Sequence, residues 1–228
     1  MDYKKASWHF NRENAGKFDE HVIRSIPWYQ EGHDLVLKFS EFFVKPDDVI
    51  YDLGCATGRL SCALAHYHNN KNVTVIGIDE SKDMILEARK RPGAESVTFI
   101  HENILDHTYK PTNLVISYYT VQFMAEAARK EMLKKISKSL NTGGGLLLFE
   151  KTRAETAVID NMFSTLLTEF KLEQGQSADE IVAKLLSLKG VLEPSYSEEI
   201  KKNLKASGFR HIERIFKCNS FEGFLAIK

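Results

Sequence analysis

Short apolar runs bounded by turn residues recur along the first two thirds of this chain, and segments of helical period separate most of them. The runs are 49–53, 73–78, 97–100, 113–117 and 146–149. Apolar runs this short, rich in Val and Ile, read as buried strands. Between them, helices are expected at 59–67, 81–91 and 125–140; Ser81 is a good N-cap, and Pro92-Gly93 stops the second of these helices. The alternation predicts βαβ units: an α/β fold with a doubly wound, mostly parallel sheet covered on both faces.

The two ends break the rhythm. Residues 1–20 carry no clear period and are expected to form an arm or cover. Leu35, Val36, Phe39, Phe42 and Phe43 then recur at helical spacing up to Lys45-Pro46, making 1–45 a helical cover. After the fifth run, 154–188 reads as two helices with no strand between them, and 198–206 as a third, amphipathic helix. The stretches 209–216 and 220–227 alternate like a closing antiparallel pair. The expectation is one domain over 1–228 with seven strands, Rossmann-like, and a helical insertion at 154–207. The natural place for that insertion is above the carboxyl ends of the strands, where open α/β sheets bind ligands.

Charge and cysteine usage narrow the function. The 228 residues carry 31 basic and 31 acidic side chains, so no global positive field recruits a nucleic acid as direct substrate. No apolar run approaches the ~20 residues of a membrane span, and the polar start leads into no signal core, so a cytoplasmic protein is expected. Cys55, Cys62 and Cys218 are odd in number and form no CxxC, which suggests neither a disulfide framework nor a zinc site. The cluster His66-Tyr67-His68-Asn69-Asn70 reads as a helix end, and no metal is expected.

The chemistry sits in Asp52-Leu53-Gly54-Cys55-Ala56-Thr57-Gly58, where the first strand turns into a helix. Gly54 permits a sharp turn and a close backbone approach to a ligand. Gly58 opens the helix, whose N-terminal N–H groups favour an anionic group. Asp52 is placed for an ammonium. Asp79 ends the second strand, roughly 20 residues after the glycines, where an acid accepts ribose hydroxyls. Glycine loop and acid together point to a nucleoside.

The spelling Asp-x-Gly-x-x-x-Gly resembles the first motif of class I S-adenosylmethionine-dependent methyltransferases. Glu102-Asn103-Ile104 falls where that superfamily holds adenine, Asn141-Thr142-Gly143-Gly144 resembles its "NPGG" turn, and Gly208-Phe209 before a final hairpin its ending. Within it, the chain most resembles the carboxy-S-adenosylmethionine synthases of the tRNA wobble-uridine pathway. The matching stretches are Phe18–Val22, Arg24–Tyr29, Val49–Cys55, Thr120-Val121-Gln122-Phe123 and Glu150-Lys151. The resemblance implies S-adenosyl-L-methionine, or its carboxylated form, contacted by Tyr29, Gly54, Cys55, Ala56, Asp79, Glu80 and Ile104. Asp52, Gly58, Met84, Asn103 and Tyr118 complete the expected cofactor set. It also implies a homodimer, with the insertion at its interface.

Aligning Leu204 to Phe209 puts Asn203 where the family has an arginine for the extra carboxylate of the carboxylated cofactor. An amide cannot make that bidentate ion pair. The sequence is therefore expected to encode a methyltransferase using ordinary S-adenosylmethionine on a small-molecule acceptor. The alternatives are the prephenate-dependent synthase and a cofactor-binding module with a degraded active site. Tyr29, Tyr118 and Tyr119 are candidates to face the sulfonium. His101, Glu150 and Lys151 are candidates for a base, and no catalytic residue is assigned.

Overall fold

A computed structural model describes residues 15–228. The part of the expected arm before residue 15 lies outside the described residues.

The sheet follows from the apolar runs. Strands β1 (Val49–Leu53), β2 (Thr74–Asp79), β3 (Val97–His101), β4 (Thr112–Tyr118) and β5 (Leu140–Arg153) are parallel, and β7 (His211–Cys218) and β8 (Phe221–Ile227) close the sheet antiparallel. The order is β3-β2-β1-β4-β5-β8-β7, with the two-residue strand β6 (Ser195–Tyr196) beside β5. The chain reverses direction across the sheet between β1 and β4. Register aligns Leu53 with Ile78 on one side and Ser117 on the other, so three strand ends reach the same level there. Such a switch point opens a crevice at the carboxyl edge.

Strand alternation divides β1 between two cores. Tyr51 and Leu53 pack on α5 (Glu126–Ser139) and the later helix α8 (Ser197–Ala206) through Met132, Ile136 and Leu204. Ile50 faces the other way, into Val36 of α2 (Tyr29–Ser40) and Leu60 and Leu64 of α3 (Arg59–Tyr67). All of these are fully or nearly fully buried. Tyr51, Leu53, Ile50 and Leu64 have 1% exposure or less, so burial of this kind, at about 25 cal/mol per Å² of apolar surface, is the main force holding both layers to the sheet.

Several boundaries differ from those the sequence suggested. The glycines at 143–145 fall within a strand that extends from Leu140 to Arg153, but they still punctuate it: pairing with β4 jumps from Leu140 opposite Thr112 to Gly145 opposite Leu114, leaving 141–144 as a bulge. Gly145 lies in the strand with the Phe43 ring packed on it, so that a Cβ there would fall 2.8 Å from the ring. Helix α4 (Lys82–Ala88) ends three residues before the expected Arg91. Helix α1 (Phe18–Ser25) and strand β6 gave no periodic signal, since each is too short to show one.

The insertion forms α6 (Ala157–Glu173), α7 (Ala178–Ser187), β6 and α8. Thr156 caps α6, and Ser177 with Glu180 makes a capping box on α7. Helix α1 bridges this insertion and the glycine loop. Arg24 Nε donates to the Gln174 carbonyl (2.8 Å), and Gln176 Nε2 donates to the Arg24 carbonyl (3.0 Å). At its other end Asp19 pairs with Arg91 and accepts from Thr57 Oγ1 at 2.5 Å. No described helix is long and apolar enough to cross a membrane.

Candidate functional site

The crevice at the switch point is a cavity of about 260 Å³, walled by the strand ends below, α1 and α2 on one side and α6–α7 on the other. All of the expected cofactor residues line it except Gly58 and Met84. Met84 is fully buried in the packing of α4, where its backbone N–H donates to the Ser81 hydroxyl at 3.3 Å. Gly58 stands behind the wall. Its φ is +73°, and a Cβ would lie 2.5 Å from Phe99, so helix–strand packing requires the glycine.

The glycine loop is held from beneath. Gly54 and Cys55 N–H both donate to the Ile78 carbonyl, at 2.8 and 3.0 Å. Gly54 has φ +69° and a Cβ there would fall 2.3 Å from Thr120, whose hydroxyl donates to the Leu53 carbonyl at 2.8 Å. Ala56 is also left-handed, φ +47°, and its N–H donates to Asp79 Oδ2 at 2.9 Å. Ser81 N–H donates to the other oxygen, Oδ1, at 2.8 Å. Asp79 therefore ties the loop to β2 and caps the turn into α4. Each of its oxygens keeps a further lone pair for a ligand.

Asp52 is buried, and Ser61 Oγ donates to it at 2.6 Å. Burial pushes its carboxyl up to about 6, against the lowering effect of the Ser61 hydrogen bond. At the outer rim, Asn103 is engaged on both sides: Nδ2 donates to Glu80 Oε2 (3.0 Å), and Oδ1 accepts from Leu105 N–H (2.9 Å). The carbonyl retains one lone pair, and Ile104, Phe123 and Met124 provide an apolar slot beside it.

An aromatic wall stands over the strand ends. The Tyr29 ring lies 4.7 Å from His33, 5.2 Å from Tyr118 and 6.2 Å from Tyr119. Tyr118 OH donates to the Tyr29 carbonyl at 2.7 Å, and Tyr119 takes a left-handed φ of +59° to enter the cavity. Burial lowers His33 to about 3, so the ring is neutral, and its Nε2 has no partner. A cluster of electron-rich faces around a neutral imidazole suits a sulfonium.

The candidate bases separate. His101 is exposed and outside the cavity, with its ring near the Glu80 carbonyl (3.1 Å). Glu150 is buried in a different, much smaller pocket beside Arg129 and Asn203, and burial raises its carboxyl to about 8. Lys151 does line the cavity. Asn203 lines the smaller pocket with Glu150 and not this cavity.

Lys171 and Lys184 were not legible in the sequence as site residues. Lys171 of α6 and Lys184 of α7 line the cavity with Lys151, and all three are half-buried. Lysines on surface helices ordinarily form a solvated face, and only the fold of the insertion turns these two inward. His33 and Ser61 were missed for a similar reason, since each reads as ordinary helix filling.

Comparison with known proteins agrees with this architecture. A family model described as a methyltransferase domain matches residues 44–202. The carboxy-S-adenosyl-L-methionine synthase of Staphylococcus epidermidis is 32% identical over the whole of both chains. That of Sulfurimonas denitrificans is 36% identical, covering 98% of this chain and 96% of its own. The chain belongs to the carboxy-S-adenosyl-L-methionine synthase family, within the class I S-adenosylmethionine-dependent methyltransferases. Among solved structures, magnesium protoporphyrin IX methyltransferase from Synechocystis with bound S-adenosylhomocysteine superposes with a TM-score of 0.66 at 16% identity, covering 96% of each chain. At that identity the likeness speaks for the fold.

Proposed function

We propose that this protein is a carboxy-S-adenosyl-L-methionine synthase, which converts S-adenosylmethionine to its carboxylated form with prephenate as carboxyl donor. The observation that carries this reading is the extent of the match. It runs from end to end of the relatives, through the insertion that walls the second side of the cavity. The expectation of methyl transfer to a separate small molecule rested on Asn203, and the full-length likeness to the synthases weighs more than that one position.

The residues present fit the nucleoside. Asp79 would take the ribose hydroxyls, Asn103 and Ile104 the adenine, and Gly54, Cys55 and Ala56 the backbone approach. Asp52 would face the ammonium, with Tyr29, His33 and Tyr118 around the sulfur. Bound there, S-adenosylmethionine supplies a sulfonium whose methyl carbon is the site to be carboxylated. The buried wall excludes water from that carbon, and the residues' work is chiefly to place it against the donor.

The raised Asp52 carboxyl has a consequence for binding. Above about pH 6 it is charged and attracts the ligand's ammonium; below, it is protonated and the attraction is lost. Affinity for S-adenosylmethionine is expected to fall as pH drops from 7 to 5. An affinity flat across that range, measured by calorimetry, would remove Asp52 from the ammonium site. The functional reading itself is tested by comparing affinities for the plain and carboxylated ligands. Preference for the carboxylated form supports the synthase, and clear preference for plain S-adenosylmethionine restores simple methyl transfer.

We further propose a homodimer joined through the insertion. Val158, Met162 and Leu166 on α6 and Val182, Leu185 and Leu186 on α7 are each more than half exposed. Each set recurs at helical spacing, and large apolar side chains exposed in this number mark an interaction surface. Light scattering should give a dimer that Leu185→Glu converts to monomer; a monomeric wild type would contradict it.

A further inference from the structure

Two walls of the cavity meet at a buried side chain that does not itself line it. Arg129, in the first turn of α5, is 8% exposed. Its guanidinium reaches two stretches of chain far apart in sequence. On the first, Nε donates to the Met124 carbonyl (2.7 Å) and Nη2 to the Gln122 carbonyl (3.1 Å). On the second, Nη1 donates to Ser195 Oγ (2.8 Å) and Nη2 to the Glu193 carbonyl (2.5 Å). Glu193 N–H closes the ring by donating to the same Gln122 carbonyl at 3.2 Å. Gln122, Phe123 and Met124 line the cavity beside the adenine slot, and Leu188 and Leu192, just ahead of Glu193, line it from the insertion side.

A buried guanidinium is costly unless its donors are used, and these four bonds nearly satisfy the fork. Glu150 shares the small pocket with Arg129. Burial is the largest influence on the Glu150 carboxyl and carries it up to about 8 against the opposing pull of Arg129, so neutralising that acid does not explain the arginine. Glu150 instead accepts from the Val121 and Gln122 N–H groups. Gln122 extends the chain of bonds, its Oε1 accepting from Lys151 N–H at 2.7 Å. The turn Val121–Phe123 is thus gripped by its N–H groups from the end of β5 and by its carbonyls from α5. A single 3₁₀ turn has little rigidity of its own, so the places of Phe123 and Met124 are set by these outside bonds.

We propose that Arg129 is a positioning residue that latches segment 193–195 of the insertion to the turn Val121–Phe123, so that the nucleoside slot and the opposite wall of the cavity form as one unit. For the second substrate this rests on the synthase reading. The only other tie in the sheet is the two-residue pairing of β6 with β5 at Thr152–Ser195 and Arg153–Tyr196, too short to hold the segment alone. Lysine cannot replace the arginine: its ammonium carries the same charge but lacks the planar fork that spans both segments. Without the fork, Leu188 and Leu192 leave the cavity wall, while the sheet beneath stays formed.

The test compares full-length wild type, Arg129→Lys and Ser195→Ala by amide hydrogen exchange, by calorimetry with S-adenosylhomocysteine, and by turnover of S-adenosylmethionine with prephenate. In Arg129→Lys the amides of 188–195 should exchange about tenfold faster or more, with those of β1 and β4 at wild-type rates. S-adenosylhomocysteine should bind about tenfold more weakly, the usual scale for one charged hydrogen bond, and the KM for S-adenosylmethionine should rise in step. Ser195→Ala removes one acceptor and should give the same pattern at smaller amplitude; it decides the matter if Arg129→Lys does not fold. Wild-type exchange at 188–195 in the folded variants, or exchange accelerated equally in β1 and β4, would show that Arg129 supports the core alone and overturn the latch. If the expected exchange and affinity changes appear but the wild type forms no carboxylated product, the latch stands and the synthase reading falls.

Discussion

Asp79→Ala is expected to weaken S-adenosylmethionine by about 100-fold or more, a larger effect than the loss of about 1–3 kcal/mol in stability from the backbone donors it leaves unpaired. The asymmetry follows from what the carboxylate does. It accepts from Ala56 N–H at 2.9 Å and Ser81 N–H at 2.8 Å, so it fixes the left-handed loop residue and the start of α4. Its remaining lone pairs are the ones placed for ribose. Removing it loses the ligand's hydrogen bonds and releases the loop at the same time. Burial raises its carboxyl above the ordinary value, and the Ser81 and Ala56 N–H bonds act against that rise. Asp79→Asn should fall almost as far, because its Nδ2 cannot accept from either N–H. Calorimetry with a parallel melting curve checks both halves; an affinity within tenfold of wild type would mean that the acid serves the loop alone.

Gly54→Ala should be the most damaging single methyl addition at the site. The residue sits at φ +69°, a region that costs an L side chain about 1–2 kcal/mol, and its Cβ would come 2.3 Å from both Cγ2 and Oγ1 of Thr120. Thr120 cannot step aside freely, because its hydroxyl donates to the Leu53 carbonyl at 2.8 Å. Overpacking adds roughly 1–3 kcal/mol, so a loss of about 2–5 kcal/mol is expected, and a melting temperature lower by about 5–15 °C. Gly143→Ala provides the reference. It has φ +79° with nothing within 4 Å of the added Cβ, so it carries only the conformational part. Gly54→Ala/Thr120→Ala should recover most of the difference between the two. Equal melting temperatures for the two single variants would show that the loop relaxes around the clash.

The sheet was largely legible because its strands are buried on both faces and therefore read as continuous apolar runs. The loop spelling and Asp79 were legible because backbone geometry and a nucleoside leave few residue types free. The second half of the site was not. Lys171 and Lys184 lie on amphipathic helices whose polar faces look like any solvated surface, and which face turns inward is set by how α6 and α7 pack on α1. The charge of the cavity wall was equally hidden, because Lys171 and Lys184 reach it only through the fold of the insertion. Met84 carried no independent signal, and packing decided its place in the core.

The most direct test of the account is turnover: incubate the purified protein with S-adenosylmethionine and prephenate and follow the nucleoside by mass spectrometry. The account predicts a product heavier than S-adenosylmethionine by one carboxyl unit, formed only when prephenate is present. Unchanged S-adenosylmethionine under those conditions, with S-adenosylhomocysteine appearing when a methyl acceptor is supplied instead, would contradict it.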